Sequence, residues 1–116
     1  MLSIADTLFE LLRIAFRGHS PTSFEGVDWK NVLQLAKMQG VAAVAYEAVQ
    51  KLPEHVRPNK ATLLEWFGCA YHHERIFNLQ MASAADLAEK FHHENIRTFV
   101  LKGCSVAMLY PVPTHR

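Results

Sequence analysis

The sequence predicts a mainly α fold, a bundle of about four helices with one long helix, followed by a single strand and a short helix. Three observations predict it. Apolar residues recur at three- and four-residue spacing through most of residues 1–95, which is the period of an amphipathic helix. No proline interrupts residues 59–94. After residue 95 the pattern changes to the run IRTFVL, whose β-branched and aromatic residues favour a strand.

The first helix is bounded by a start signal and a stop signal. Its apolar stripe runs from Leu2 to Phe16. Ser3 is a typical N-cap residue, and Gly18 is a typical residue for ending a helix. Residues 18–27 are rich in Gly, Ser, Thr and Pro, and they are predicted to form a loop.

The second and third helices follow directly after that loop. Asp28 is expected to cap the second helix, and Gly40 is expected to end it. Residues 41–52 predict a third helix that is apolar on most of its surface, which indicates burial between neighbouring helices. Pro53 ends this helix.

The fourth helix is predicted to run from about Asn59 to Glu94. Gly68 is the only glycine within it and is a candidate for a bend or a break. One stripe of this helix is apolar except at Glu74, for which a pair with Arg75 or a neighbouring helix is favoured over a buried functional carboxylate. The stripe is expected to pack against the first three helices, and its apolar members are Leu63, Phe67, Ala70, Phe77, Met81, Ala84, Ala88 and Phe91.

The sequence predicts two domains. Residues 1–95 form the helical bundle, and residues 96–116 form the start of a second domain. A strand over 96–101 leads into a turn at Lys102-Gly103 and a short helix over 104–110. Because a strand without a partner promotes association, we expect it to pack against the bundle or to pair with a second copy in a homodimer.

Composition excludes several classes of protein. The chain has 116 residues, of which 50% are apolar and 20% charged, with a net charge of +1. These values are typical of a globular domain, and they give no support to an extended nucleic-acid interface. No segment resembles a transmembrane helix or a signal peptide, and two cysteines are too few for a disulfide framework. The sequence therefore predicts a cytoplasmic protein without membrane association.

The even charge balance conceals an asymmetry along the chain. Residues 1–58 carry six basic and six acidic side chains, and residues 59–95 carry three and five. Residues 96–116 carry three basic side chains and no Asp or Glu. Main-chain N–H groups at a glycine turn beside a lysine can bind phosphate oxygens, so this end is a candidate phosphate site. The alternative is that Gly103 only permits a tight turn.

The motif Cys69-x-x-His72-His73 offers a second candidate site. Its thiol and imidazole groups lie one helical turn apart and can supply two corners of a metal site. No second Cys/His pair has a suitable spacing, so histidines on a helix surface are the favoured interpretation.

The C-terminal segment resembles the start of the catalytic region of a nucleotidyltransferase family within the DNA polymerase beta-like superfamily. The similar residues are Val100-Leu101-Lys102-Gly103, Ala107, Leu109-Tyr110-Pro111, Pro113 and Arg116. Upstream, Val27-Asp28-Trp29 and Gly40-Val41-Ala42 also resemble this family. The resemblance implies that residues 96–116 begin an α/β nucleotidyltransferase domain. It further implies that Lys102, Gly103, Cys104, Ser105 and Arg116 lie around the triphosphate of a nucleoside triphosphate.

In this family the arginine is soon followed by a Gly-Asp-x-Asp strand that holds divalent metal ions. The 116 residues do not contain that strand, so we expect a truncated nucleotidyltransferase with no catalytic or metal-binding residue and no cofactor of its own. The resemblance implies that the intact parent uses Mg²⁺ to transfer a nucleoside monophosphate to an acceptor. The alternative is a self-contained helical module that binds a protein partner and catalyses nothing.

Overall fold

The structure is a computed structural model that describes residues 2–18, 24–101 and 103–116, with the main chain alone at Cys104. Over these residues it measures 59 × 26 × 21 Å. Its helices are α1 (Ile4–Arg17), α2 (Trp29–Met38), α3 (Ala42–Lys51), α4 (Lys60–His93) and α5 (Cys104–Ala107), and single 3-10 turns span Glu54–Val56 and Pro113–His115.

Helix α1 begins and ends where its sequence predicts. The Ser3 hydroxyl oxygen accepts a hydrogen bond from the main-chain N–H of Asp6 at 3.1 Å, which satisfies a free donor of the first turn. Gly18 follows the helix in the left-handed conformation, at φ 65°, and its N–H donates to the Ile14 carbonyl. Of the predicted loop 18–27, residues 19–23 lie outside the described residues.

Two further helices are capped by short polar side chains. An Asp28 carboxylate oxygen accepts from the N–H of Asn31 at the start of α2. The Asn59 side chain accepts from the N–H of Thr62 at 2.9 Å at the start of α4. Each cap satisfies one N–H that has no partner inside its helix, and both starts are confirmed at the predicted residues.

Helix α3 lies at the centre of the bundle, packed against α1 on one side and α4 on the other. This position explains why its sequence is apolar around most of its circumference. The largest fully buried side chains of the core are Trp66, Phe24, Leu11, Ile14, Leu33, Leu52, Val32, Val44, Val49 and Thr7.

Helix α4 is continuous through Gly68, so the break considered at this residue does not occur. Its 34 residues span about 51 Å at the usual rise per residue. The helix ends at His93, and Asn95 just beyond it has a φ of 60°. The N–H groups of Asn95 and Ile96 donate to the carbonyls of His92 and Phe91, so that the terminal carbonyls have partners.

The two halves of α4 have different surroundings. Its buried residues, Trp66, Ala70 and Phe77, all lie in the first half. From Asn78 to His93 no residue is buried, and only Ala84 and Ala88 are partly covered. The apolar stripe therefore packs against the bundle only as far as Phe77, and the prediction that its whole length packs there is wrong.

The predicted strand over residues 96–101 is not present, and the described part of the chain contains no strand at all. These residues turn back along the last turns of α4 without regular structure, and Thr98 and Val100 lie near Ala84 and Ala88. A strand exists only when a second segment pairs with it, and no described segment does so. Leu101 is 86% exposed.

Among the described residues, no helix has both the length and the apolar character that crossing a membrane requires.

Candidate functional site

The chain turns sharply at Gly103, which has φ 67° and ψ −107°. Residues with a Cβ atom rarely adopt this φ, so the turn requires glycine. Helix α5 follows at once but contains only four residues, and the predicted continuation of this helix to Tyr110 is wrong. Pro111 and Pro113 cannot supply main-chain N–H groups, which favours this early end. Lys102 lies outside the described residues.

Arg116 returns to this turn from the other end of the segment. Its Nη1 atom lies 4.0 Å from the position that a Cβ atom on Gly103 would occupy. The side chain of Arg116 is exposed, and it forms no ion pair within the described part of the chain. The structure thus brings together two of the five predicted site residues, which are 13 positions apart in the sequence.

The structure also describes Ser105 and the backbone of Cys104, two further predicted site residues. Ser105 is exposed and borders a shallow apolar groove against Met81, Ala84 and Ala88. The backbone of Cys104 forms the first residue of α5, and its side chain lies outside the described atoms.

The segment after Gly103 is docked on the bundle by apolar contacts. Ala107 is fully buried. The ring of Tyr110 packs edge to face with that of Phe16 in α1, with ring centroids 5.4 Å apart. Tyr110 also packs against the main core. These contacts fix the middle of the segment on the helices.

A buried polar cluster fixes the end of the same segment. Nδ1 of His115 lies 2.7 Å from an Oε2 atom of Glu47 in α3, and Nε2 lies 2.6 Å from Oε1 of Glu74 in α4. The His115 and Glu47 side chains are 8% and 10% exposed, and that of Glu74 is 39% exposed. We call these three residues the His115 cluster.

The chemistry of the His115 cluster follows from its acceptors. Ionised carboxylates only accept hydrogen bonds, so both contacts are hydrogen bonds when each ring nitrogen carries a proton. No buried side-chain N or O atom among the described residues lacks a partner, so the buried atoms of the cluster all have one. Close by, Nε2 of His73 contacts the main-chain oxygen of Arg116.

The candidate metal motif gathers no third ligand among the described residues. Cys69 has a free thiol, and Nε2 of His73 contacts the main-chain oxygen of Arg116. No group of three or more His, Cys, Asp and Glu side chains in residues 2–18, 24–101 and 103–116 is arranged to hold a metal ion. Glu47 and Glu74 approach opposite nitrogens of the His115 ring and do not converge on a common point.

Sequence reasoning identified one member of this cluster and missed two. Glu74 was visible as the polar residue in an apolar stripe, although its partner was not. Glu47 carries a similar signal, since it is the one acidic residue of α3 and its neighbours from Ala42 to Val49 are Ala, Val and Tyr. His115 has no local signal, because its contacts are with residues 41 and 68 positions away.

The comparisons with known proteins give a family. A family model described as an uncharacterised nucleotidyltransferase matches residues 25–116. No curated protein and no solved structure matches the chain significantly. The matched range includes helices α2 to α5, the Gly103 turn, all members of the His115 cluster and Arg116. The chain therefore belongs to the uncharacterised nucleotidyltransferase family.

Proposed function

We propose that the Gly103 turn and Arg116 form the triphosphate-binding part of a nucleotidyl-transfer site. One observation carries this proposal, namely that the guanidinium of Arg116 closes on the glycine turn in a chain of this family. A guanidinium offers paired N–H donors that match phosphate oxygens. Gly103 has no side chain of its own that would keep a ligand from its backbone.

The charge of the surrounding residues supports the same proposal. Residues 96–116 contain Arg97, Lys102 and Arg116 but no Asp or Glu, so that no acidic side chain in this stretch repels a phosphate. Because α5 is a single turn, its dipole is small, and the attraction comes mainly from cationic side chains. We place Lys102 and Ser105 at the edge of the site because of their positions in the sequence.

The family implies magnesium, and the residues present do not fit this ion. Mg²⁺ takes oxygen ligands, mostly carboxylates and water. The carboxylates that contact the end of this segment are those of Glu47 and Glu74, and both are engaged by His115. We therefore propose that these 116 residues bind the phosphates but do not catalyse transfer, and that the carboxylates needed for transfer belong to a Gly-Asp-x-Asp strand outside them. The binding takes place in the cytoplasm, where nucleoside triphosphates are present.

A titration of the 116-residue chain with inorganic tripolyphosphate, followed by NMR, tests the proposal. We expect a dissociation constant of about 1 mM, because a few exposed cations supply the attraction. Arg116→Ala should weaken binding about fivefold. Arg97→Ala is the matched control, since it removes the same charge from a position with no contact to the Gly103 turn. Equal effects of the two substitutions, or tight binding that depends on Mg²⁺, would contradict the proposal.

We also propose that residues 96–101 pair with the same segment of a second copy. Phe99, Val100 and Leu101 expose consecutive apolar side chains, and their backbone has no partner in a described strand. Both properties favour strand pairing between chains.

A further inference from the structure

The His115 cluster is a buried polar arrangement that the proposed phosphate binding does not use directly. Buried charged groups are costly to desolvate, and a buried ion pair contributes little net stability compared with apolar residues of the same size. Stability alone is therefore a weak explanation for placing a histidine between two carboxylates. The geometry of the cluster indicates a different role.

The two hydrogen bonds fix the orientation of the His115 ring. Glu47 holds Nδ1 and belongs to α3, while Glu74 holds Nε2 and belongs to α4. Since the two nitrogens lie on different edges of the ring, a rotation of the ring breaks at least one bond. With both nitrogens occupied, the ring is not free to act as a base or as a metal ligand. What the cluster does is join the end of the chain to two packed helices.

The residue that this arrangement orients is Arg116. Its peptide bond links it directly to His115, and its main-chain oxygen contacts Nε2 of His73 in α4. The N–H of Arg116 donates to the carbonyl of Pro113. The main chain of Arg116 is thus held on both sides. Its guanidinium extends from this fixed main chain to the Gly103 turn.

We propose that His115, held by Glu47 and Glu74, is a positioning residue that sets the guanidinium of Arg116 at the phosphate site. This inference rests on the proposed function, because it assigns a role to Arg116 in phosphate binding. It differs from a purely stabilising role in one measurable respect. If His115 positions Arg116, the effects of the two residues on phosphate binding are coupled, whereas independent effects multiply.

The experiment is a double-mutant cycle on the dissociation constant of tripolyphosphate, measured by NMR well below the thermal unfolding midpoint of every variant. The variants are Arg116→Ala, His115→Gln and the double substitution. Glu74→Gln provides a milder change, because it keeps an acceptor at the half-exposed end of the cluster. His93→Gln is the control, since His93 forms an exposed pair with Glu89 on the same helix at 3.9 Å.

We expect Arg116→Ala and His115→Gln each to weaken binding about fivefold, and the double variant to be no weaker than either. Glu74→Gln should weaken binding about twofold, and His93→Gln should leave it unchanged. The inference is overturned if His115→Gln binds like the wild type, or if Arg116→Ala costs the same factor in the His115→Gln background as in the wild type.

Hydrogen exchange separates this inference from the proposed function. The main-chain amides of residues 112–116 that are protected in the wild type should exchange at least about tenfold faster in His115→Gln and at wild-type rates in His93→Gln. If Arg116→Ala leaves tripolyphosphate binding unchanged, the proposed function fails. The exchange rates then decide alone whether His115 holds the segment, and unchanged rates overturn that holding role.

Discussion

The indole N–H of Trp66 donates to the main-chain carbonyl oxygen of Ala42 across 2.9 Å. This bond links the long helix α4 to the first residue of the central helix α3. Trp66 is fully buried, and its ring packs edge to face with that of Trp29, with centroids 6.0 Å apart. One side chain therefore contributes a hydrogen bond, an aromatic contact and a large buried volume at the centre of the bundle.

Replacing Trp66 with Phe should lower the free energy of unfolding by about 2 kcal/mol, because both the hydrogen bond and part of the buried volume are lost. Urea denaturation followed by circular dichroism measures this change. The neighbouring substitution Phe67→Leu is the control, since the Phe67 side chain is about half exposed, and it should cost less than about 0.5 kcal/mol. Equal costs for the two substitutions would refute the central position of Trp66.

Replacing Glu47 with Ala should destabilise the fold by about 3 kcal/mol, because it leaves His115 buried without one of its two carboxylate partners. The thermal unfolding midpoint is the suitable measurement. Glu89→Ala serves for comparison, since it removes a carboxylate from an exposed His–Glu pair and should leave the midpoint unchanged. A Glu47→Ala variant as stable as Glu89→Ala would contradict the burial of the His115 cluster.

The exposed pair of Lys37 and Glu65 gives a prediction about pH. A hydrogen bond from Nζ of Lys37, at 2.6 Å, lowers the pKa of Glu65, and the same bond raises the pKa of Lys37. A lowered carboxyl pKa means that the stabilisation is present at neutral pH and is lost as the pH falls through that value. A raised lysine pKa means that it is also lost in strong base, as the pH rises through that value.

The stability difference between the wild type and Glu65→Gln should therefore be small at pH 7 and should vanish in acid. Urea midpoints of the two proteins across the acid range measure it. Glu54→Gln is the control, because Glu54 has no ion-pair partner in the part of the chain that the structure describes. High salt should reduce the difference as well. A stability difference that grows towards low pH would contradict the lowered pKa of Glu65.

The proposed pairing of residues 96–101 predicts an association that depends on concentration. Light scattering during size exclusion should show a dimer that increases with protein concentration, and Leu101→Lys should shift it to monomer, because a charge opposes strand pairing at this position. Met38→Lys places the same charge at another exposed apolar residue and should not alter the mass. A monomer at every concentration would contradict the pairing.

The parts of the fold that depend on short stretches of chain were predictable. Ser3, Asp28 and Asn59 cap their helices because each cap involves a residue only three positions away. The stop at Gly18 is equally local. The family resemblance was also readable, since Gly103 and Arg116 lie within one short segment, and the family match over residues 25–116 confirms it.

The parts that depend on distant contacts were not predictable. The β-propensity of residues 96–101 is real, but propensity does not supply a partner strand, and without one the segment remains irregular. The position of His115 depends on contacts with α3 and α4. For His115 the sequence shows a histidine near the end of the chain and nothing of the two glutamates that hold it.

The uneven burial of α4 has a consequence for how the molecule melts. The last residues of α4, about 16 beyond Phe77, are stabilised mainly by their own helical hydrogen bonds, because few other residues pack on them. An isolated peptide of that length is only marginally helical in water. Heating should therefore unfold this end of α4 before the bundle around Trp66 unfolds. The loss of helical signal should then begin below the temperature at which tryptophan fluorescence changes, so that a single melting temperature describes only the bundle.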